Sequence, residues 1–223
     1  MSDLFNEKVS NGFIVDVFNV MNACPQHQFM ILTKRSKRMR EWYRWVSTPF
    51  IGSPNQGCLP AMCDRWEWPL PNVWIGVSVE DQPTADERIS DLQATPAARR
   101  FVSLEPCLAP VIFKDEWLMS CHDCGNEGSI AYDSKPGTIA GRLCLDACEK
   151  RGNPASISLV IMGCESGPHA RPMELDWARQ VRDACVAAKV PYFLKQANIG
   201  GKLVKMPELD GKAWDQLPEV KHG

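Results

Sequence analysis

The chain has 223 residues, 44% of them hydrophobic and 23% charged, with 25 Lys+Arg against 27 Asp+Glu for a formal charge of −2. This composition excludes whole-chain disorder, collagen and coiled coil, and the length suits one domain carrying an insert. A broadly basic nucleic-acid coat is excluded too; no apolar run nears the roughly 18 residues of a membrane span, and the first residues are not a signal peptide, so a cytoplasmic location is expected.

Residues 12–23 place Phe13, Ile14, Val17, Phe18 and Met21 at helical spacing, with Pro25 ending the pattern. Residues 29–32 are a short apolar run that suits a buried strand, and it ends in Thr33-Lys34-Arg35. Residues 36–46 read as a basic, Trp-rich helix, and residues 49–71 as a long Pro- and Gly-rich loop. The strand–helix unit then returns. Strands over 73–77, 100–104, 159–162 and 191–194 end in Ser78-Val79-Glu80-Asp81, Glu105-Pro106, Gly163-Cys164-Glu165-Ser166-Gly167 and Lys195-Gln196. Helices are expected near 84–93 and 174–189. Apolar strands alternating with amphipathic helices imply a parallel sheet covered by helices.

Each of the five strands thus delivers charged or hydrogen-bonding side chains at its C-terminal end. In a (β/α) barrel those ends share one face, and that face carries the chemistry. The expected fold is α/β: a partial (β/α) TIM-type barrel over 1–113 and 157–223, interrupted by a small Cys-rich, zinc-ribbon-like insert over 114–156.

Several segments, taken in order, resemble one family: Asp3-Leu4-Phe5, Ile31-Leu32-Thr33-Lys34-Arg35, Trp74-Ile75-Gly76-Val77-Ser78-Val79-Glu80, Phe101-Val102-Ser103-Leu104-Glu105-Pro106, Gly163-Cys164-Glu165-Ser166-Gly167, Phe193-Leu194-Lys195-Gln196 and Leu209-Asp210-Gly211-Lys212-Ala213-Trp214. The chain resembles the phage gene-product thirty-seven/sixty-eight-like proteins of phages and bacteria. That resemblance implies a barrel related to radical S-adenosylmethionine enzymes, working in a bacterial or phage-infected cell. It also implies a three-cysteine segment holding a 4Fe–4S cluster with one iron free for the cofactor. No such segment precedes Asp3 here, and Cys58 and Cys63 supply two thiols only. S-adenosylmethionine and 4Fe–4S are therefore expected only if that segment is supplied from elsewhere. A companion polypeptide carrying the missing strands is the expected partner.

By the same resemblance, Ser78, Glu80, Glu105 and Glu165 are candidate cofactor contacts; the alternative is that the carboxylates form salt bridges to Lys34, Arg35, Arg171 or Lys195 across the mouth. Lys34, Arg35, Arg171, Lys195 and Gln196 are candidate substrate contacts, Lys34 and Arg35 for a carboxylate or phosphate. Lys37, Arg38, Arg40 and Arg44 interleave with Trp42 and Trp45, a composition that suits nucleic acid or, equally, a solvated helix with its Trp packed inward. Residues 163–171 invite a nucleophile reading, yet Ser166 lies in no Gly-x-Ser-x-Gly elbow and Cys164 has only His169 nearby as a base.

The clearest local signal is Cys121-x2-Cys124 with Cys144-x3-Cys148, two close pairs separated by 19 residues. Four thiolates on two knuckles fit a tetrahedral structural zinc, with His122 a less favoured ligand. Disulfides and unconnected thiols are the alternatives. The expected function is the C-terminal portion of a radical-SAM-like enzyme, or else a non-catalytic, zinc-stabilised binding module.

Overall fold

The computed structural model describes residues 3–47, 69–118 and 156–219. The proposed zinc ligands Cys121, Cys124, Cys144 and Cys148, the substitute His122, Cys58, Cys63 and most of the 49–71 loop lie outside the described residues.

Helix α1 (Asn11–Ala23) starts at Ser10, whose hydroxyl accepts from the Phe13 amide at 3.2 Å. Its buried residues are Ile14, Val15, Phe18 and Met21; of the expected apolar positions Val17 is half-buried and Phe13, in the first turn, is exposed. Strand β1 (Phe29–Thr33) follows, then α2 (Ser36–Ser47), β2 (Val73–Ser78) and α3 (Gln82–Gln93). Asp81 and Thr84 close a capping box at the start of α3, with Pro83 inside the first turn. Next come β3 (Arg99–Leu104), the single-turn helix α4 (Asp115–Leu118), β4 (Leu159–Gly163), α5 (Leu175–Ala187) and β5 (Tyr192–Ile199).

Strands β1 to β5 pair in parallel in sequence order. The result is a curled, six-stranded, mostly parallel sheet that forms half a barrel. The sixth strand, β6 (Lys202–Lys205), is antiparallel and was not legible as a strand. Its signal was Gly200-Gly201: both have positive φ, +59° and +79°, which suits a two-residue hairpin turn. A small antiparallel pair, β7 (Glu208–Leu209) and β8 (Lys212–Ala213), closes the described chain.

The main core lies between the sheet and its helices. Phe18 packs against Trp42 and Tyr43 of α2, and Trp42 also meets Phe5. Trp117 and Leu118, at the border of the cysteine-rich stretch, are buried in that same core. Arg100 is buried on the helix side of β3, where its guanidinium donates to the carbonyls of Leu92 and Thr95. It thereby caps the C-terminal end of α3, where a cation also suits the helix dipole. Buried Asp91 accepts from Ser36 Oγ at 2.7 Å and pairs with Arg40 at 2.8 Å, tying α2 to α3.

A second apolar cluster lines the concave face: Trp74, Phe101 and Leu159, with Ile161 and Phe193 against them. Gly76 makes this packing possible, because a Cβ there would sit 2.4 Å from the Phe101 ring. Replacing Gly76 by Ala should lower stability by about 1–3 kcal/mol through overpacking. Gly12, on the open side of α1, has no atom within 4 Å of its would-be Cβ, so Gly12→Ala should be neutral or stabilising. Urea denaturation of both variants checks this. Equal midpoints would show that Phe101 moves aside at no cost.

Candidate active site at the strand ends

Strand order and curl decide which side chains meet. Trp74, Ser78, Phe101, Ser103, Ile161 and Phe193 alternate onto the concave face, with Ser78 paired to Ser103 and Ser103 to Ile161 in register. The layer above them, at the C-terminal ends, is charged.

Four strand ends are joined there. Lys34, just past β1, forms an ion pair with Glu80, just past β2. Arg88 of α3 approaches the same carboxylate at 2.9 Å and also donates to the Ser78 carbonyl at 2.6 Å. The Ser78 hydroxyl lies 3.4 Å from both the Glu80 carboxylate and the Glu105 carbonyl, so its one proton serves either. The Glu105 carboxylate accepts from Ser103 Oγ at 3.2 Å and pairs with Lys195 of β5 at 3.1 Å. Lys195 reaches β3 over the end of β4, where Gly163 stands. A Cβ on Gly163 would lie 2.6 Å from Glu105 Oε1 and 3.2 Å from Gln196 Cγ.

A register irregularity explains why both Lys195 and Gln196 serve this end of the sheet. Met162 pairs with Leu194, but Gly163 pairs with Gln196, so one extra residue is inserted in β5. Bulges of this kind re-aim side chains. Here Lys195 goes to Glu105, while Gln196 Nε2 donates to the Cys164 carbonyl at 2.8 Å.

Arg35 and the Glu165–Arg171 pair stand apart from this network. Arg35 turns to the N-terminal segment, pairing with Asp3 and Glu7 at 3.1 Å each. Burial pulls the Asp3 carboxyl upward, but hydrogen bonds from Thr33, Lys34, Phe5 and Arg35 together outweigh it and hold its pKa below the usual value. Glu165 and Arg171 form a two-pronged pair at 2.8 Å per prong, and the Arg171 amide donates to the same carboxylate at 2.9 Å. This closes the loop after β4 on itself. Arg88, Gly163 and Asp3 are the contributors that sequence reasoning missed. Arg88 follows Glu80 in the first turns of the next helix, a spacing that can be searched for; Gly163 and Asp3 carried no such signal.

The nucleophile reading gains nothing. Cys164 is buried, and burial together with the Glu105 charge raises its thiol pKa, opposite to what a thiolate needs. On α2, Arg38 donates to the carbonyls of Asn6 and Val9, Arg40 pairs with Asp91, and Trp42 is buried. Those cations are engaged within the chain; Trp45 is the more open ring. Among the described residues no three Cys, His, Asp or Glu side chains group as a metal site, and no helix is long and apolar enough to cross a membrane.

The chain belongs to a family of proteins of unknown function, DUF5131, whose model matches residues 1–218. No curated protein and no solved structure matches it.

The Glu165–Arg171 clasp has a pH signature. Hydrogen bonds from the Arg171 side chain and amide hold the Glu165 pKa at about 2, against 4.5 ordinarily. The folded pKa is depressed, so the clasp's contribution is fully present above about 4.5 and is lost as pH falls toward 2. The Glu165 side-chain carboxyl carbon, followed by NMR, should titrate near 2 and return toward 4.5 in Arg171→Ala. An ordinary midpoint in the wild-type chain would mean that the loop is open in solution.

Proposed function

We propose that this chain contributes the strand-end face of a barrel enzyme related to the radical S-adenosylmethionine group. The observation that carries this reading is the joining of four strand ends, through Lys34, Glu80, Ser78, Glu105 and Lys195, on one end of a half-barrel. The resemblance of seven ordered segments to the phage gene-product thirty-seven/sixty-eight-like proteins supports it as well.

Among the described residues, the strand-end side chains suit S-adenosylmethionine, whereas the cysteines do not suit the iron–sulfur cluster that the resemblance also implies. Glu80 and Glu105 are largely covered carboxylates, each held in place by a cation, and Ser78 lies between them. Such acceptors fit an ammonium group or sugar hydroxyls, so Ser78, Glu80 and Glu105 are proposed to orient S-adenosylmethionine. Glu165 would join them only by releasing Arg171. Lys34 and Lys195, both about half exposed, with Gln196 beside them, would face an anionic substrate group. Arg35 and Arg171 would reach it only by leaving their carboxylates.

The described cysteines do not fit a 4Fe–4S cluster. Cys24, Cys107, Cys164 and Cys185 are separate free thiols. Burial pushes Cys107 to about 11 and Cys185 to about 12, which disfavours thiolate ligands. No step through a cluster is therefore derived; its thiolates would have to come from outside the described residues.

A second reading is a binding module stabilised by zinc on Cys121, Cys124, Cys144 and Cys148. It is favoured by the ion pairing of each strand-end glutamate, Glu80 with Lys34, Glu105 with Lys195 and Glu165 with Arg171. One preparation separates the readings. The full chain is titrated calorimetrically with S-adenosylmethionine, and its zinc content is measured. The enzyme reading expects saturable binding that weakens at least tenfold in Glu105→Gln with the melting temperature nearly unchanged. Absent binding, with about one zinc per chain that disappears in the Cys121→Ser, Cys124→Ser variant, would replace it with the module.

A further inference from the structure

Strand β5 outruns its neighbour. Gly163, the last residue of β4, pairs with Gln196, so residues 197–199 continue past the rim by about 10 Å at roughly 3.3 Å per residue. Strand β6 pairs with this overhang, setting Lys205 opposite Gln196, Val204 opposite Ala197 and Leu203 opposite Asn198. The β5–β6 hairpin is therefore a wall that rises from the strand-end face beside Lys195.

Alternation decides which side of the wall faces the mouth. Gln196 lies toward the mouth, its Cγ 3.2 Å from where a Gly163 Cβ would stand, a position itself 2.6 Å from Glu105 Oε1. Ala197 is buried in the core on the helix side. Asn198 then returns to the mouth side. Residues directly opposite in an antiparallel pair share a face, with Cβ atoms about 4.5–5.5 Å apart, so Leu203 and Lys205 lie there too. Lys202, opposite Ile199, lies on the other face.

Charge along this wall is one-sided. Residues 191–207 hold Lys195, Lys202 and Lys205 and no acid. Glu105 matches Lys195, whose side chain is still about half exposed. Among the described residues, the exposed side chains of Asn198 and Lys205 make no hydrogen bond or ion pair.

We propose that the mouth side of this wall, Asn198 and Lys205 together with Lys195, binds a phosphate monoester group of the substrate. This deepens the strand-end reading and rests on the mouth being a ligand site, not on the identity of its cofactor. A phosphate monoester carries a charge of about −1.5 to −2 and three acceptor oxygens, enough for both ammonium groups and the Asn198 amide. A carboxylate brings less charge and one oxygen fewer. A nucleic-acid backbone needs cations spaced along a track, and Arg38 and Arg40 of α2 are engaged within the chain. Leu203, 45% exposed and opposite Asn198, offers an apolar contact to the carbon atoms that adjoin the phosphate.

Titration of the full chain with inorganic phosphate at about pH 8, where the dianion dominates, tests the proposal at constant ionic strength. The NMR shift of the Asn198 side-chain amide follows binding. Saturable binding is expected, weakened at least tenfold in Lys205→Gln and unchanged in Lys202→Gln, which removes the same charge from the opposite face. Acetate should bind at least tenfold more weakly than phosphate. The proposal is overturned by the absence of a saturable shift, by equal losses in the two variants, or by acetate binding as tightly. S-adenosylmethionine is titrated in parallel. Its binding without phosphate binding strikes this proposal alone, whereas phosphate binding without it supports the wall and strikes the cofactor reading.

Discussion

Lys195 reaches Glu105 across a strand end that has no side chain to obstruct it. Neighbouring strands lie about 4.8 Å apart, so β3 and β5 are separated by roughly twice that distance, and a side chain on β4 would fill the gap. Gly163 leaves it open, the inserted residue in β5 brings Gln196 alongside, and the curl of the sheet draws the three strands together. Gly76 makes room in the same way deeper in the concave face, where the Phe101 ring occupies the space that a Cβ would need. The concave face thus passes from aromatic packing, through two serines, to a charged rim. Both transitions depend on a glycine in the adjoining strand.

The rim is balanced charge by charge. Glu80 lies under Lys34 and Arg88, Glu105 under Lys195, and Glu165 under Arg171. In each pair the carboxylate is the more covered partner and the outer Lys or Arg the more exposed. Half-exposed pairs contribute only about 0–1 kcal/mol each, so a ligand can exchange with the cation at small cost. The carboxylates of Glu105 and Glu80 are fixed from below by Ser103 and Arg88, which keeps their positions when the upper partner moves. Such a face is preorganised and open to competition at once.

Five parallel strands, four helices and the charged strand ends were legible, because continuous apolar runs and helical spacing report burial directly. The sixth strand was not: Lys202–Lys205 is exposed throughout and owes its strand to the Gly200-Gly201 turn and to pairing with β5. Of the predicted contacts, Lys34, Ser78, Glu80, Glu105, Lys195 and Gln196 gather at the same end, while Arg35 and the Glu165–Arg171 pair turn elsewhere. The difference rests on partners that sequence spacing does not reveal. Asp3 lies 32 residues from Arg35, and Arg171 is brought to Glu165 by the local course of the loop. The alternative reading of the strand-end glutamates, salt bridging to nearby cations, is what the geometry contains for all three: Glu80 with Lys34, Glu105 with Lys195 and Glu165 with Arg171.

Gly163 creates the space in which Glu105 and Lys195 meet. A double-mutant cycle with Glu105→Gln and Lys195→Met, read by urea denaturation, measures their coupling in the wild-type chain and again in Gly163→Ala. A coupling of about 0.5–1 kcal/mol that vanishes in the alanine background is expected. The same coupling in both backgrounds would contradict it.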